Sequence, residues 1–315
     1  MLKFILKRLI QSIPVIIIAV TFSFFITHFM PGDPVRTLLG DKASEQQVLS
    51  MRNELFLNQP LLTQFSIWAS GVLTMDLGQS IFWKEPILDL IVKRIEPTFI
   101  LAFIGIIFSV IIGVPTGLKA AEKRGKVFDK SFSVATLLSI SIPGFWLAIM
   151  AIQIFCVRIH IFPVAGYDSI GKDGLLNALY HLALPGMILG VMYSGQIARM
   201  TRTTMLEVMS HDYLRTARGK GVKERKVLYV HAFVNAMPSI IMVVGFSFGS
   251  LLGGAAVIEQ LFNIPGLGNL LINAVLKRDY PLIQGSLLFI SMIFILINTL
   301  VDIICILINP KERLE

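Results

Sequence analysis

The chain has 315 residues, of which 55% are hydrophobic and only 15% charged, with a formal net charge of +8. So few charges exclude an ordinary soluble domain, in which about a quarter of residues are charged. Nor does the positive balance mark a nucleic-acid binder, because the bases are scattered between long apolar runs and no finger or RNA-binding signature accompanies them.

A helix that crosses a bilayer needs roughly 20 apolar residues. Six stretches meet that length: 9–29, 98–118, 131–157, 181–198, 237–258 and 282–308. The fold class is therefore all-α, a polytopic membrane protein with six transmembrane helices. The first stretch follows Lys3, Lys7 and Arg8 as a secretory signal would. It is too long for a signal core and no small-residue cleavage site follows, so it is read as a retained span. The organisation expected is an inner segment and first span over 1–30, an external helical cap over 31–97, and a five-span core over 98–315.

The stretch 31–97 is too long for a bare connection. Ser44 and Gln47 form a capping box, which predicts a helix with Val48, Met51 and Leu55 on one face. Leu62, Phe65, Trp68 and Val72 share a second helical face, and these apolar residues are expected to form the core of the cap.

Lysine and arginine set orientation, since cytoplasmic loops are enriched in them. With the N-terminus inside, the inner segments hold 18 of the 28 basic residues and the longer outer segments 10. Both termini are expected to be cytoplasmic, and so is the basic stretch HDYLRTARGKGVKERKVLYVHAF, residues 211–233, within the loop 199–236. Ser210 or Asp212 can cap a short helix there, Tyr213 and Ala217 share a face, and Gly219 and Gly221 stop it. The bland reading is a solvated positive-inside loop. The pattern also suits a helix that presses into another protein.

Between the fifth and sixth spans, NIPGLGNLLINAVLKRDYPL is too polar and too interrupted by Pro265, Gly266 and Gly268 for a simple span. Leu267, Leu270, Leu271, Ala274 and Val275 share one helical face, so a re-entrant or surface helix is expected at the outer mouth. Arg278 and Asp279 are expected to pair or cap locally beside Tyr280.

The fifth span carries Gly245, Gly249 and Gly253 at four-residue spacing, which permits close helix packing, expected against a second subunit. GFSFG around Ser247 matches a nucleophile elbow, but that motif requires a strand, a turn and a histidine base, none of which an apolar helix supplies. Cys156 and Cys305 lie inside apolar runs and read as packing atoms. The five histidines show no metal-ligand spacing, so no metal site is assigned, and no phosphate-binding Gly-x-x-x-x-Gly-Lys-Ser/Thr stretch occurs. The chain is therefore not read as an enzyme, and no cofactor is expected on it. An ion-coupled carrier is the rival function, and it needs an ionisable residue inside the membrane. Asp302 is the one clear candidate, and with Asn298 one turn away it reads better as a structural acceptor that ties down the last span.

Several segments resemble a known family: PGDP at 31–34, NQPLLTQFSIW from Asn58, DLGQS from Asp76, ARGKG from Ala217, and above all IPGLGNLLINAVLKRDYPLIQG from Ile264. The chain resembles, along essentially its whole length, the first permease of the dipeptide, oligopeptide and nickel group of ATP-binding-cassette importers. Ala217 and Gly221 also match the Glu-Ala-Ala, three residues, Gly pattern of the permease helix that docks on the ATPase, whereas its usual Leu-Pro is replaced near Val234 and Asn235.

The resemblance implies a bacterial inner-membrane subunit that works with a second permease, two ATPase subunits that bind ATP and magnesium, and an external binding protein that delivers the peptide. It assigns ATPase coupling to Tyr213, Leu214, Arg215, Thr216, Ala217, Arg218 and Gly221. It assigns an external gate to Pro265, Gly266, Leu267, Gly268, Arg278, Asp279 and Tyr280. Nickel or a metal chelate remains the alternative cargo.

Overall fold

The computed structural model describes residues 2–29, 34–39, 43–54 and 56–308. The expectations placed on Pro31, Gly32, Asp33, Lys42, Leu55, Lys311 and Arg313 lie outside the described residues.

Every named element among the described residues is helical. The first is α1, Leu2–His28. Short helices follow: α2, Pro34–Leu39, α3, Glu45–Glu54, and α4, Leu61–Leu73. The capping box forms as expected, with Gln47 N–H donating to Ser44 Oγ and Ser44 N–H to Gln47 Oε1 at 3.3 and 2.9 Å. The second expected face does not make a core of its own. No residue of α4 is buried, and Leu62 is 77% exposed. Phe65 and Trp68 instead meet Phe24 of α1 with ring centroids 5.4 and 5.8 Å apart, because the end of a span offers apolar surface that three short helices lack.

The core is built on α5, Ile87–Glu122, and α8, Ile170–Met209. Glycines let them approach closely. Side chains or backbone of the partner helix occupy the space a Cβ would need at Gly113, Gly117, Gly186 and Gly190, and Ser109 Oγ donates to Gly190 O at 3.0 Å. Between them in sequence, the expected continuous third span is broken. Helix α6, Val127–Ser141, gives way to α7, Gly144–Ala151, which continues as a π-helical stretch to Arg158, and the two halves meet at 93°. Pro143 is the cause: it has no N–H to donate, and its ring drives Ile142 into extended backbone at φ −76°, ψ 122°.

After α8 come α9, Asp212–Gly219, the single turn α10, Glu224–Lys226, and a π-helical stretch Val227–Ala232 that leads into α11, Phe233–Gly254. The fifth span thus ends at Gly254, and the chain turns through α12, Ala256–Leu261, and α13, Leu267–Leu276, into α14, Tyr280–Ile308. Among the described residues, five helices are long and apolar enough to cross a membrane, and the bent α6–α7 pair makes a sixth if it counts as one span. Ser247, at the centre of GFSFG, lies buried in mid-α11 with no strand or turn beside it, so no nucleophile elbow exists there.

Two sets of polar ties join helices far apart in sequence, one between α1 and α14 and one between α6 and the core helix α8. Asp302 pairs with Arg8 of α1 at 3.1 Å, while Ser12 and Thr299 hydroxyls meet at 3.3 Å one turn along the same seam. The buried Asp129 of α6 receives Arg202 of α8 through two N–H groups at 2.6 and 2.9 Å, and the Gly125 N–H at 2.9 Å.

Candidate functional site

The candidate functional elements occupy opposite ends of the α5–α8 core: α13 packs on Ile87 and Ile91 at the start of α5, and α9 on Leu118 and Ala121 near its end.

At the first end, α13 starts where Pro265 and Gly266 stop the chain from continuing α12. Its first N–H groups need acceptors, because the opening turn of a helix has none of its own. Leu267 N–H donates to Thr98 Oγ1 at 2.8 Å, and Thr98 donates in turn to Glu259 Oε1 at 2.6 Å. Asn269 N–H donates to Glu259 Oε2 at 2.8 Å, and Gly268 N–H also reaches this carboxylate. Glu259 is 0% exposed, and burial pushes its carboxyl above the ordinary carboxylate range against the pull of these donors. The knot explains two glycines. A Cβ at Gly266 would run into the Glu259 carboxylate, and one at Gly268 into Ala256.

Asp279 repeats the device at the start of α14. It is buried and accepts from Ser80 Oγ at 2.5 Å, Phe82 N–H at 3.0 Å and both Ile81 and Leu282 N–H at 3.3 Å. Asp279 therefore caps locally, as expected, and also anchors the loop before α5. Arg278 bridges α13 and α14 in left-handed backbone at φ 53°. Of the expected α13 face, Leu267, Leu270 and Ala274 are buried with Ile87, Ile91 and Tyr280, Leu271 is half-buried and Val275 lies exposed.

At the second end, α9 runs over the expected residues but starts differently. Its N-cap is His211 and no side chain caps it; Ser210 Oγ donates back to Glu207 O, and Asp212 is the first helical residue, where its charge suits the positive helix end. Gly221 closes the helix at φ 77°. Leu214 is wholly buried among Met205, Val208, Val227 and Leu228, and Ala217 is half-buried against the same cluster. Tyr213 and Ala217, four residues apart, lie on one side of the helix as expected but differ in how far they are covered. Ala217 is half-buried against the chain's own cluster, whereas Tyr213 is 44% exposed, and Arg215, Thr216 and Arg218 are exposed on other sides of the helix. Arg218 holds Glu224 through N–H groups at 2.9 and 3.0 Å, which raises its already high pKa and braces the turn that follows.

The three glycines of the fifth span separate as well. The space beside Gly245 is taken by Val301 and that beside Gly249 by Phe294, both on the chain's own α14, so these two are filled without a second subunit. Gly253 is exposed, with nothing within 4 Å of a Cβ there.

Comparison with known proteins follows the same lines. The description "binding-protein-dependent transport system inner membrane component" matches residues 113–314, and that of the N-terminal part of such components matches residues 1–102. A Brucella abortus protein named for a peptide transport system permease is 42% identical over 315 residues, the whole of both chains. The glutathione transport system permease GsiC of Escherichia coli K12 is 39% identical over 313 residues, 99% of each chain. Among solved structures, a chain of the methionine transporter MetNI in inward-facing form superposes with a TM-score of 0.59 at 20% identity, covering 71% of this chain and 99% of that one, a likeness of fold. The resemblance read from the sequence is borne out: this chain belongs to the family of binding-protein-dependent transport system inner membrane components.

Proposed function

We propose that the chain is the membrane-spanning permease of an ATP-driven peptide importer, paired with a second permease, served by two ATPase subunits and loaded by an external binding protein. The observation that carries this reading is full-length identity of 42% to a protein named as a peptide transport permease, supported by 39% identity to a permease named for glutathione, itself a peptide. Those names favour peptide over nickel or a metal chelate. The chain supplies path and lever, and ATP with its magnesium belongs to the partners.

In this reading α9 lies in the cytoplasm, where the basic residues around it place it, and both termini share that side. Leu214 and Ala217 fasten the helix to its own permease, and Tyr213, Arg215, Thr216 and Arg218 meet the ATPase. ATP binding draws the ATPases together, α9 moves with them, and the two permeases rock from inward-open to outward-open. At the outer mouth α13 forms the rim beneath the binding protein, kept in shape by Glu259 and Asp279.

The test is reconstitution. Liposomes that hold both permeases and both ATPases should accumulate a labelled tripeptide only with ATP and loaded binding protein on the correct sides. Accumulation by this chain alone under a proton or sodium gradient would overturn the reading in favour of an ion-coupled carrier. Topology is checked with Gly171→Cys and Ser210→Cys: on intact cells an impermeant thiol reagent should label Gly171→Cys, on the outside, and not Ser210→Cys, and equal labelling would overturn the six-span topology.

A further inference from the structure

The elbow between α6 and α7 leaves a cavity of about 250 Å³ against α8, lined by Ser139, Ile142, Met192, Tyr193, Gln196 and Arg199. Its existence follows from the break at Pro143: the bend carries α7 away, Met192 fills the contact at Gly144, and the wall below it is left to side chains of α8. Met192, Gln196 and Arg199 are four and three residues apart and so stand on one face of that helix.

Three of the lining side chains have unspent polar capacity. Among the described residues, Tyr193, Gln196 and Arg199 have no side-chain hydrogen-bond partner, and Arg199 has no acid beside it. That is unlike the other arginine on this stretch of α8, for Arg202, three residues on, is held in both planes of its fork by Asp129. Arg199 stands exposed just past the apolar run of α8, at the level where the neighbouring Ala198 packs on Ala120 of α5 and Phe132 of α6, so the cavity lies at the same end of the core as α9. A guanidinium with no acid beside it, at the edge of a hollow, is free to pair with an anionic group that enters.

We infer that this elbow cavity is a transit subsite for the terminal carboxylate of the peptide, with Arg199 as its counter-charge and Gln196, Tyr193 and Ser139 meeting the adjoining main-chain amide. The inference rests on the peptide-importer reading. A guanidinium pairs with a carboxylate through two parallel N–H groups, and an amide side chain beside it supplies one donor and one acceptor for a peptide unit. The carboxylate and the amides are the groups every peptide shares, so a path that reads them passes cargo of any side chain. One exposed cation with neutral neighbours also binds weakly enough to release, which conduction through a path requires.

The experiment uses the complete transporter in liposomes with its binding protein, a labelled tripeptide of free C-terminus, and Arg199→Gln and Arg199→Cys in this chain. Arg199→Gln should lower saturating uptake about tenfold, the worth of one charge-assisted pair, while complex assembly stays as in wild type. Arg199→Cys should be equally impaired. Aminoethyl methanethiosulfonate, which restores a cation, should recover uptake, and sulfonatoethyl methanethiosulfonate should not. Tripeptide trapped with a non-hydrolysable ATP analogue should slow both modifications.

Uptake at the wild-type rate in Arg199→Gln, equal rescue by the two reagents, or a cysteine that neither reagent reaches would each overturn the subsite. Loss of the assembled complex in both variants would assign Arg199 to lipid headgroups or packing instead. If wild type itself takes up no peptide, the importer reading fails and the subsite with it. Wild-type uptake matched by Arg199→Gln removes the subsite alone.

Discussion

The two ends of this permease solve opposite problems. At the α13 end, short helices meet span termini, and the polar groups freed at each turn are answered inside the chain by two buried carboxylates, Glu259 and Asp279. At the α9 end, a helix of eight residues is fastened by one wholly buried side chain, Leu214, and leaves its polar residues and Tyr213 uncovered. A single buried leucine contributes about 2 kcal/mol, whereas helices shorter than about 12 residues are marginal alone. The first end therefore answers its polar groups within the chain, and the second leaves its polar side chains uncovered. A rim that must keep its shape suits the former, and a lever that must hand on movement suits the latter.

The comparison breaks most readily at Glu259. Glu259→Ala would leave the Gly268 and Asn269 N–H groups and the Thr98 hydroxyl without their acceptor in the interior, at a cost of about 1 to 3 kcal/mol for each group left unpaired. Thermal unfolding of the purified chain in detergent should show a large fall in Tm. Glu259→Gln should cost less, because burial already favours an uncharged group there. A Tm unchanged in Glu259→Ala would mean that α13 is not held by this knot.

Leu214→Ala sharpens the other side. It removes the one full anchor of α9 and should cost about 2 to 3 kcal/mol, the low end of the range for buried leucines, since the edge of the molecule can relax. The effect should show in limited proteolysis as cleavage near Arg215 and Arg218 well before the spans are touched. If cleavage and global unfolding rise together, α9 is part of the core rather than an appended lever.

Tyr213→Ala separates folding from coupling. With its ring 44% exposed, the change should cost the isolated chain under about 1 kcal/mol, as most surface substitutions do. ATPase co-purification and uptake should nonetheless fall sharply, because aromatic anchors carry much of an interface's energy. Normal uptake in Tyr213→Ala would remove the outward face of α9 from the coupling surface.

How far these ends were legible in the sequence follows from what kind of signal each gives. Helix α9 was placed to within a residue because a local rule marks it: polar residues, a small residue and terminating glycines follow one another within ten positions. The rim helix α13 was legible for the same reason, through IPGLG and its apolar face. Its fastening was not. Glu259 stands next to an apolar run, and an acid there is a signal, but Thr98 is 161 residues away and no periodicity connects them. Asp129 with Arg202, and Asp302 with Arg8, escaped likewise, since each pair joins helices far apart in sequence. How far Tyr213 and Ala217 are covered depends on where α8 ends and α11 begins, which a helical wheel alone does not fix. Hydropathy counted the third span, but the 93° break within it comes from one proline whose neighbours are as apolar as any span.

The smallest effect is expected at Lys223, the N-cap residue of α10, and its value lies in how small it is. The basic loop around α9 has two readings, a coupling surface with specific contacts and a positively charged stretch that only fixes orientation. Lys223 is exposed and makes no ion pair among the described residues, whereas the nearby Arg218 grips Glu224 across the turn. Lys223→Gln removes a solvated charge, worth about 0 to 1 kcal/mol, and leaves more than a dozen basic residues on the same side to hold the orientation. Uptake, assembly and the labelling pattern of the topology test should all match wild type. If Lys223→Gln instead impairs uptake as much as Tyr213→Ala does, the loop acts through its summed charge, and the division of α9 into a fastened inner face and a docking outer face fails.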